Sequence, residues 1–150
     1  MNHLISLLIL VLLPAPLLAQ TADPRAVAEC TRLNATIVSI NDCLPDAHVA
    51  VIVIDKLGEV YGDAGKSLMK QCLERNHGNM VGGKTCATEA IRAAVALAAK
   101  LPAGSVIPDP LYEGLRKPGD LAVLDAAEKA AQKTFPEKGL WGFTMYFSLK

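Results

Sequence analysis

The chain has 150 residues, 51% of them apolar, and its 15 basic side chains cancel its 15 acidic ones. That is enough chain for one domain with a single modest core. Zero net charge removes the electrostatic basis for binding nucleic acid or an anionic membrane, and charged residues at 20% argue against wholesale disorder.

From Leu4 to Leu13 the sequence is apolar apart from Ser6, Pro14 and Pro16 then end any helix, and Ala19 offers a small residue for cleavage. This is the layout of a secretory signal peptide over residues 1–19, leaving 20–150 as a single secreted helical domain. The run stops short of the ~20 apolar residues of a transmembrane anchor. It departs from the usual pattern in having no Lys or Arg before it, only His3, and in carrying Leu17 near the cut. The densest later apolar run, at 49–54, is far too short to span a bilayer, so no membrane span is expected after cleavage. The expected location is periplasmic or extracellular.

Asp23-Pro24 supplies an N-cap and a first-turn proline, so a first helix starts there. Ala26, Cys30, Leu33, Ile37, Ile40 and Leu44 recur at helical spacing, while the β-branched residues among 36–40 also suit a strand or an irregular connection. Pro45 is expected to stop whatever precedes it. Residues 47–62 read best as a helix, with Ala47, Ala50, Val51, Ile54, Leu57 and Tyr61 on one face and His48, Asp55 and Glu59 on the other. A β-hairpin over 48–61 is the alternative, which would make the fold α+β. Asp63 caps a short helix to about Arg75, and Asn76 to Asn79 and Gly82-Gly83 read as breakers. Thr85 is the expected cap of a clear helix with Ala90, Ala93, Ala94, Leu97 and Leu101 on one face, stopped by Pro102. A long loop over 102–119, with one helical turn near 111–115, leads to a helix capped by Asp120 and running to about Thr134. Trp141, Phe143, Met145, Phe147 and Leu149 then alternate with polar or small residues and Tyr146, the period of an extended strand. The expected fold is mainly α, a small disulfide-stapled bundle of four or five short helices with a C-terminal strand.

Four cysteines, Cys30, Cys43, Cys72 and Cys86, in an exported chain make two disulfides the default. No Cys-x-x-Cys pair occurs, which excludes the thioredoxin-type motif, the c-type haem site and the usual zinc clip. Pairing of sequence neighbours is favoured by separations of 13 and 14 and by a weak internal repeat, with Leu33-Asn34 in one pair and Leu73 and Asn76 in the other. Against it, an unbroken helix from Ala26 to Leu44 would hold Cys30 and Cys43 about 20 Å apart at 1.5 Å per residue. Cys30 would then have to reach Cys72 or Cys86.

Chemistry-bearing residues are sparse. His48 with Asp46 or Asp55 is the only candidate acid/base pair, and on the helical reading His48 and Asp55 share an exposed face. His77 with Met80 is a remote copper candidate, read more simply as a loop histidine and a packing methionine. Gly62-Asp63-Ala64-Gly65-Lys66-Ser67 resembles a phosphate loop but lacks its spacing. No catalytic residue, cofactor or metal is therefore assigned. The aromatic tail is the most informative feature: Trp141, Phe143, Tyr146 and Phe147 either pack on the helices or recruit another envelope protein.

Thr36, Ile40-Asn41 and Cys43, followed by Leu57 and Tyr61, are similar to the opening of the LprI-type lysozyme-inhibitor family. That resemblance implies a small secreted helical protein with several cysteines. Leu124 to Ala127, Phe135-Pro136 and the segment 143–147 look like the last helix and strand of TonB C-terminal domains. Neither likeness transfers a functional residue. The expected function is a small secreted, non-catalytic binding or protein-interaction module, with a small periplasmic hydrolase or an LprI-like inhibitor as alternatives.

Overall fold

The computed structural model describes residues 22–134. The expected signal peptide and the expected C-terminal strand lie outside them. Five helices follow one another: α1 (Pro24–Leu33), α2 (Ile37–Arg75), α3 (Met80–Ala98), the single turn α4 (Tyr112–Leu115) and α5 (Pro118–Thr134). No strand occurs among the described residues, so the hairpin alternative over 48–61 does not hold.

α1 begins as its residues dictate, with the Asp23 carboxylate accepting from the Arg25 amide at 2.8 Å. It does not continue into α2. Asn34 turns extended (φ −130°, ψ 141°), and its side-chain amide donates to the Cys30 carbonyl at 2.9 Å. Thr36 then caps a new helix, its hydroxyl accepting from the Ser39 amide at 3.1 Å. The break at 34–36 brings Cys30 and Cys43 to a Cα separation of 5.6 Å, where they form a disulfide. Neighbour pairing is thus the connectivity, completed by Cys72–Cys86 at 5.7 Å. The strand reading of 36–40 gives way to the first turn of α2.

At 39 residues α2 is not one of the short helices expected. Pro45 lies inside it rather than ending it. An interior proline costs about 3 kcal/mol, and the burial of Ala47, Val49, Ala50, Val51 and Val53 directly beyond it offsets that cost. The helix breaks instead at Gly62 (φ 55°, ψ −130°), a backbone conformation reserved for glycine. Two arms result, 37–61 and 63–75, the second being the short helix read after Asp63. They fold back on each other closely: a Cβ on Gly65 would lie 2.3 Å from the Leu57 carbonyl oxygen.

The first arm is the centre of the domain. Ala47 and Val51 pack with Ala26 and Cys30 of α1, while Val49, Val53, Leu57 and Tyr61 join Met69, Ile91 and Leu124 in the main core. Burial on two sides explains why the run at 49–54 is so apolar and so rich in Val and Ile. By length and composition alone α2 could cross a membrane. In this fold its Val51, Val53 and Leu57 are interior residues, 2%, 0% and 0% exposed.

α3 starts five residues before Thr85. Asn79 caps it, accepting from the Gly82 amide at 2.7 Å, and the buried Glu29 carboxylate of α1 accepts from the Met80 amide at 2.8 Å. Gly82-Gly83 is therefore helical. Both glycines lie close against side chains at the end of α2, since added Cβ atoms would lie 2.6 Å from Asn76 Oδ1 and from Met69 Cε. The buried face of α3 is Ala87, Ile91 and Ala94, rotated from the one expected, and Ala93 and Leu97 are exposed. Lys84–Glu128 at 2.7 Å and Arg92–Asp125 at 2.8 Å tie α5 to α3.

Candidate functional site

The break between α1 and α2 shapes an open cleft on the domain. Leu33 ends one helix and Ile37 and Val38 begin the next, and the Cys30–Cys43 bond holds the corner. Without continuous helix through 34–36, the apolar stripe that would have buried Leu33 and Ile37 is cut. Leu33 is 42%, Ile37 86% and Val38 47% exposed. Beside them opens a cleft of about 710 Å³, walled by Leu33, Thr36, Val38 and Val81 and by the carboxylates Asp42 and Asp46. Val38, Asp42 and Asp46 succeed one another at helical i, i+4 spacing, so an apolar patch grades into an acidic one along one face. Among the described residues no Lys or Arg lines the cleft. This arrangement suits a segment that combines apolar and basic side chains.

The acid/base candidates fall elsewhere. His48 is buried rather than exposed, 8% accessible, in the first arm. Burial holds its ring below the ordinary imidazole value, opposed by the nearby negative charge of Asp23. Asp55 is engaged by Arg25, whose guanidinium grips both carboxylate oxygens at 2.8 and 2.7 Å and also donates to Asp23 at 3.2 and 3.0 Å. These bonds hold both carboxyls below the usual range and raise the guanidinium. The group is a clasp between the start of α1 and the middle of α2, and Asp55 orients Arg25 rather than a base.

The other candidates resolve into structural parts. His77 sits at positive φ (53°) in the turn after α2, and Met80 is the first residue of α3. No cluster of three or more potential metal ligands occurs among the described residues, and their four cysteines are all in disulfides. The phosphate-loop-like run at 62–67 is the turn between the arms, its Gly62 supplying the backbone conformation and its Gly65 the close contact. The Tyr61 hydroxyl is buried with no hydrogen-bond partner among the described residues, and burial pushes it up to about 12. Trp141, Phe143, Tyr146 and Phe147 lie outside the described residues.

The sequence did not reveal the cleft because Leu33 and Ile37 fit one helical stripe while 36–40 also suit a strand or an irregular connection, and neither reading places a new helix start at Thr36. The signal that could have exposed it is Thr36 with Ser39 three places on, an N-cap pattern directly after Asn34. The structure thus defines, among the described residues, a mainly helical fold with two disulfides and an open apolar-acidic corner. No family model, curated protein or solved structure matches the chain. The two likenesses read in the sequence have no such match behind them.

Proposed function

We propose that this protein is an exported, non-catalytic interaction module whose binding surface is the corner cleft between α1 and α2. The observation that carries the reading is the 86% exposure of Ile37 beside Leu33 and Val38, on a disulfide-fixed corner that rigid packing could readily have covered. The partner is another envelope protein, engaged through a segment bearing apolar and Lys or Arg side chains that meet the acidic end of the cleft at Asp42. Two disulfides agree with an oxidising compartment. The aromatic residues Trp141, Phe143, Tyr146 and Phe147 belong to the same proposal on their sequence alone. A hydrolase is the weaker reading, because Asp55 is committed to Arg25 and His48 is buried in the bundle.

The test is capture of partners from envelope extract by the wild-type protein and by Ile37→Asp/Val38→Asp. Both positions are exposed, so the melt should stay within about 1 kcal/mol of wild type. A specific partner retained by wild type and lost from the double variant supports the reading. Equal capture by both proteins would contradict it.

A further inference from the structure

We propose a second binding site, on a different face and independent of the corner cleft: the groove between the two arms of α2 takes a free fatty acid. The groove has a volume of about 370 Å³, inside the range of small-molecule sites. Ile54 and Gly58 line it from the first arm, and Gly65, Met69 and Leu73 from the second. Its walls are thus almost wholly apolar, fit for an alkyl chain. Lys66 and Lys70 stand at its edge, one turn apart on the second arm, with Glu74 a further turn along. Charge therefore distinguishes the two ends of that edge. A carboxylate head belongs at the Lys66–Lys70 end, away from Glu74, with the chain lying between the arms. Lys66 has only a loose 3.7 Å pairing with the fully exposed Asp63, so it is available to a bound anion.

Gly58 is the second, independent observation. Glycine is the least favourable residue inside a helix apart from proline, and Gly58 is interior to the first arm. Its backbone does not require glycine, since its φ is not among the positive values, which fall at Gly62, Gly78 and Gly104. Packing does not require it either: an added Cβ would meet only the Lys66 side chain, at 3.9 Å. This contrasts with Gly65 opposite, where the Leu57 backbone forbids a side chain. What a side chain at 58 would do is fill the groove. Glycine at 58 thus leaves the groove open, and the aliphatic stem of Lys66 lies beside it as a flexible edge.

The test titrates the full chain with dodecanoate below its micelle concentration and follows the heat of binding. The proposal expects saturable one-to-one binding. Gly58→Leu should weaken it about tenfold or more while melting at or above wild type. Lys66→Gln/Lys70→Gln should weaken dodecanoate by about tenfold yet leave dodecanol unchanged, and it decides the matter if Gly58→Leu fails to fold. The proposal is overturned by absence of saturable binding, by undiminished binding to a folded Gly58→Leu, by a charge variant that affects acid and alcohol equally, or by binding only to anionic phospholipid vesicles.

Discussion

Replacing Gly65 by alanine tests the back-folded geometry of α2, on which the core and the groove both depend. The added Cβ would lie 2.3 Å from the Leu57 carbonyl oxygen, 2.9 Å from Tyr61 Cβ and 3.0 Å from the Leu57 carbonyl carbon. Ordinary contact between such atoms lies near 3.5–4.0 Å, so the arms must part by about 1 Å. The obstacle is the backbone of the central helix, and Leu57 is itself fully buried. No flexible side chain can give way. Overpacking of this kind costs about 1–3 kcal/mol or more, and here the upper end applies. Alanine recovers about 1 kcal/mol of helix propensity. The net loss is about 2 kcal/mol, a fall in melting temperature of roughly 5–10 °C for a domain of this size. Gly58→Ala is the control, because its Cβ meets nothing closer than 3.9 Å; it should gain about 1 kcal/mol from propensity alone. Thermal melts by circular dichroism read both. A Gly65→Ala variant that melts at or above wild type would refute the close contact between the arms.

Three further outcomes follow from the same structure. Peptide mapping of unreduced protein should recover Cys30–Cys43 and Cys72–Cys86 with no reactive thiol; a Cys30–Cys72 or Cys30–Cys86 peptide would mean that α1 does not break at 34–36. Glu29→Ala removes a buried carboxylate that accepts from the Met80 amide and pairs with Arg32, both at 2.8 Å, and should cost about 1.5–3 kcal/mol in a denaturant melt, whereas a loss under ~0.5 kcal/mol would dismiss it as the link between α1 and α3. Burial lowers the His48 value below the 6.5 of the unfolded chain, so the unfolded state binds more protons below that pH and stability should fall as pH drops from 7.5 to 5. Asp23 and Asp55, lowered from 3.8, act only in more acid solution. His48→Gln should flatten the neutral-to-acid slope, and an equally steep slope in that variant would assign it elsewhere.

Much of this architecture is legible in local signals. Asp23-Pro24, the helical stripe after Ala47 and the single helical turn near 111–115 each sit where the sequence places them, and the matched cysteine separations indicate the pairing; the last helix instead opens at Pro118, so Asp120 lies in its first turn rather than at its cap. The misreadings share a physical cause, in that tertiary contacts reversed a local preference. Pro45 reads as a stop because the cost of an interior proline is local, while the compensating burial of Val49, Val51 and Val53 is not. Gly82-Gly83 reads as a breaker because nothing nearby in sequence announces that Asn76 and Met69 press against it. His48 reads as exposed because the polar side of a two-sided central helix looks like a solvent face, although the fold buries it. The corner cleft was hidden for the opposite reason: a periodic apolar stripe runs across 33–37, and only the backbone at Asn34 shows that the helix does not. The groove between the arms depends on the turn at Gly62, which a run resembling a phosphate loop disguised.

The corner cleft is tested most directly by photocrosslinking in the cell. A benzophenone side chain placed at Val38, 47% exposed beside the cleft, is compared with one at Val106, 87% exposed in the loop before α4. Irradiation of cells exporting each protein should give a discrete adduct with one envelope protein from position 38, and none of that mass from position 106. Adducts of the same mass and yield from both positions, or none from position 38, would contradict the assignment of this corner as the binding surface.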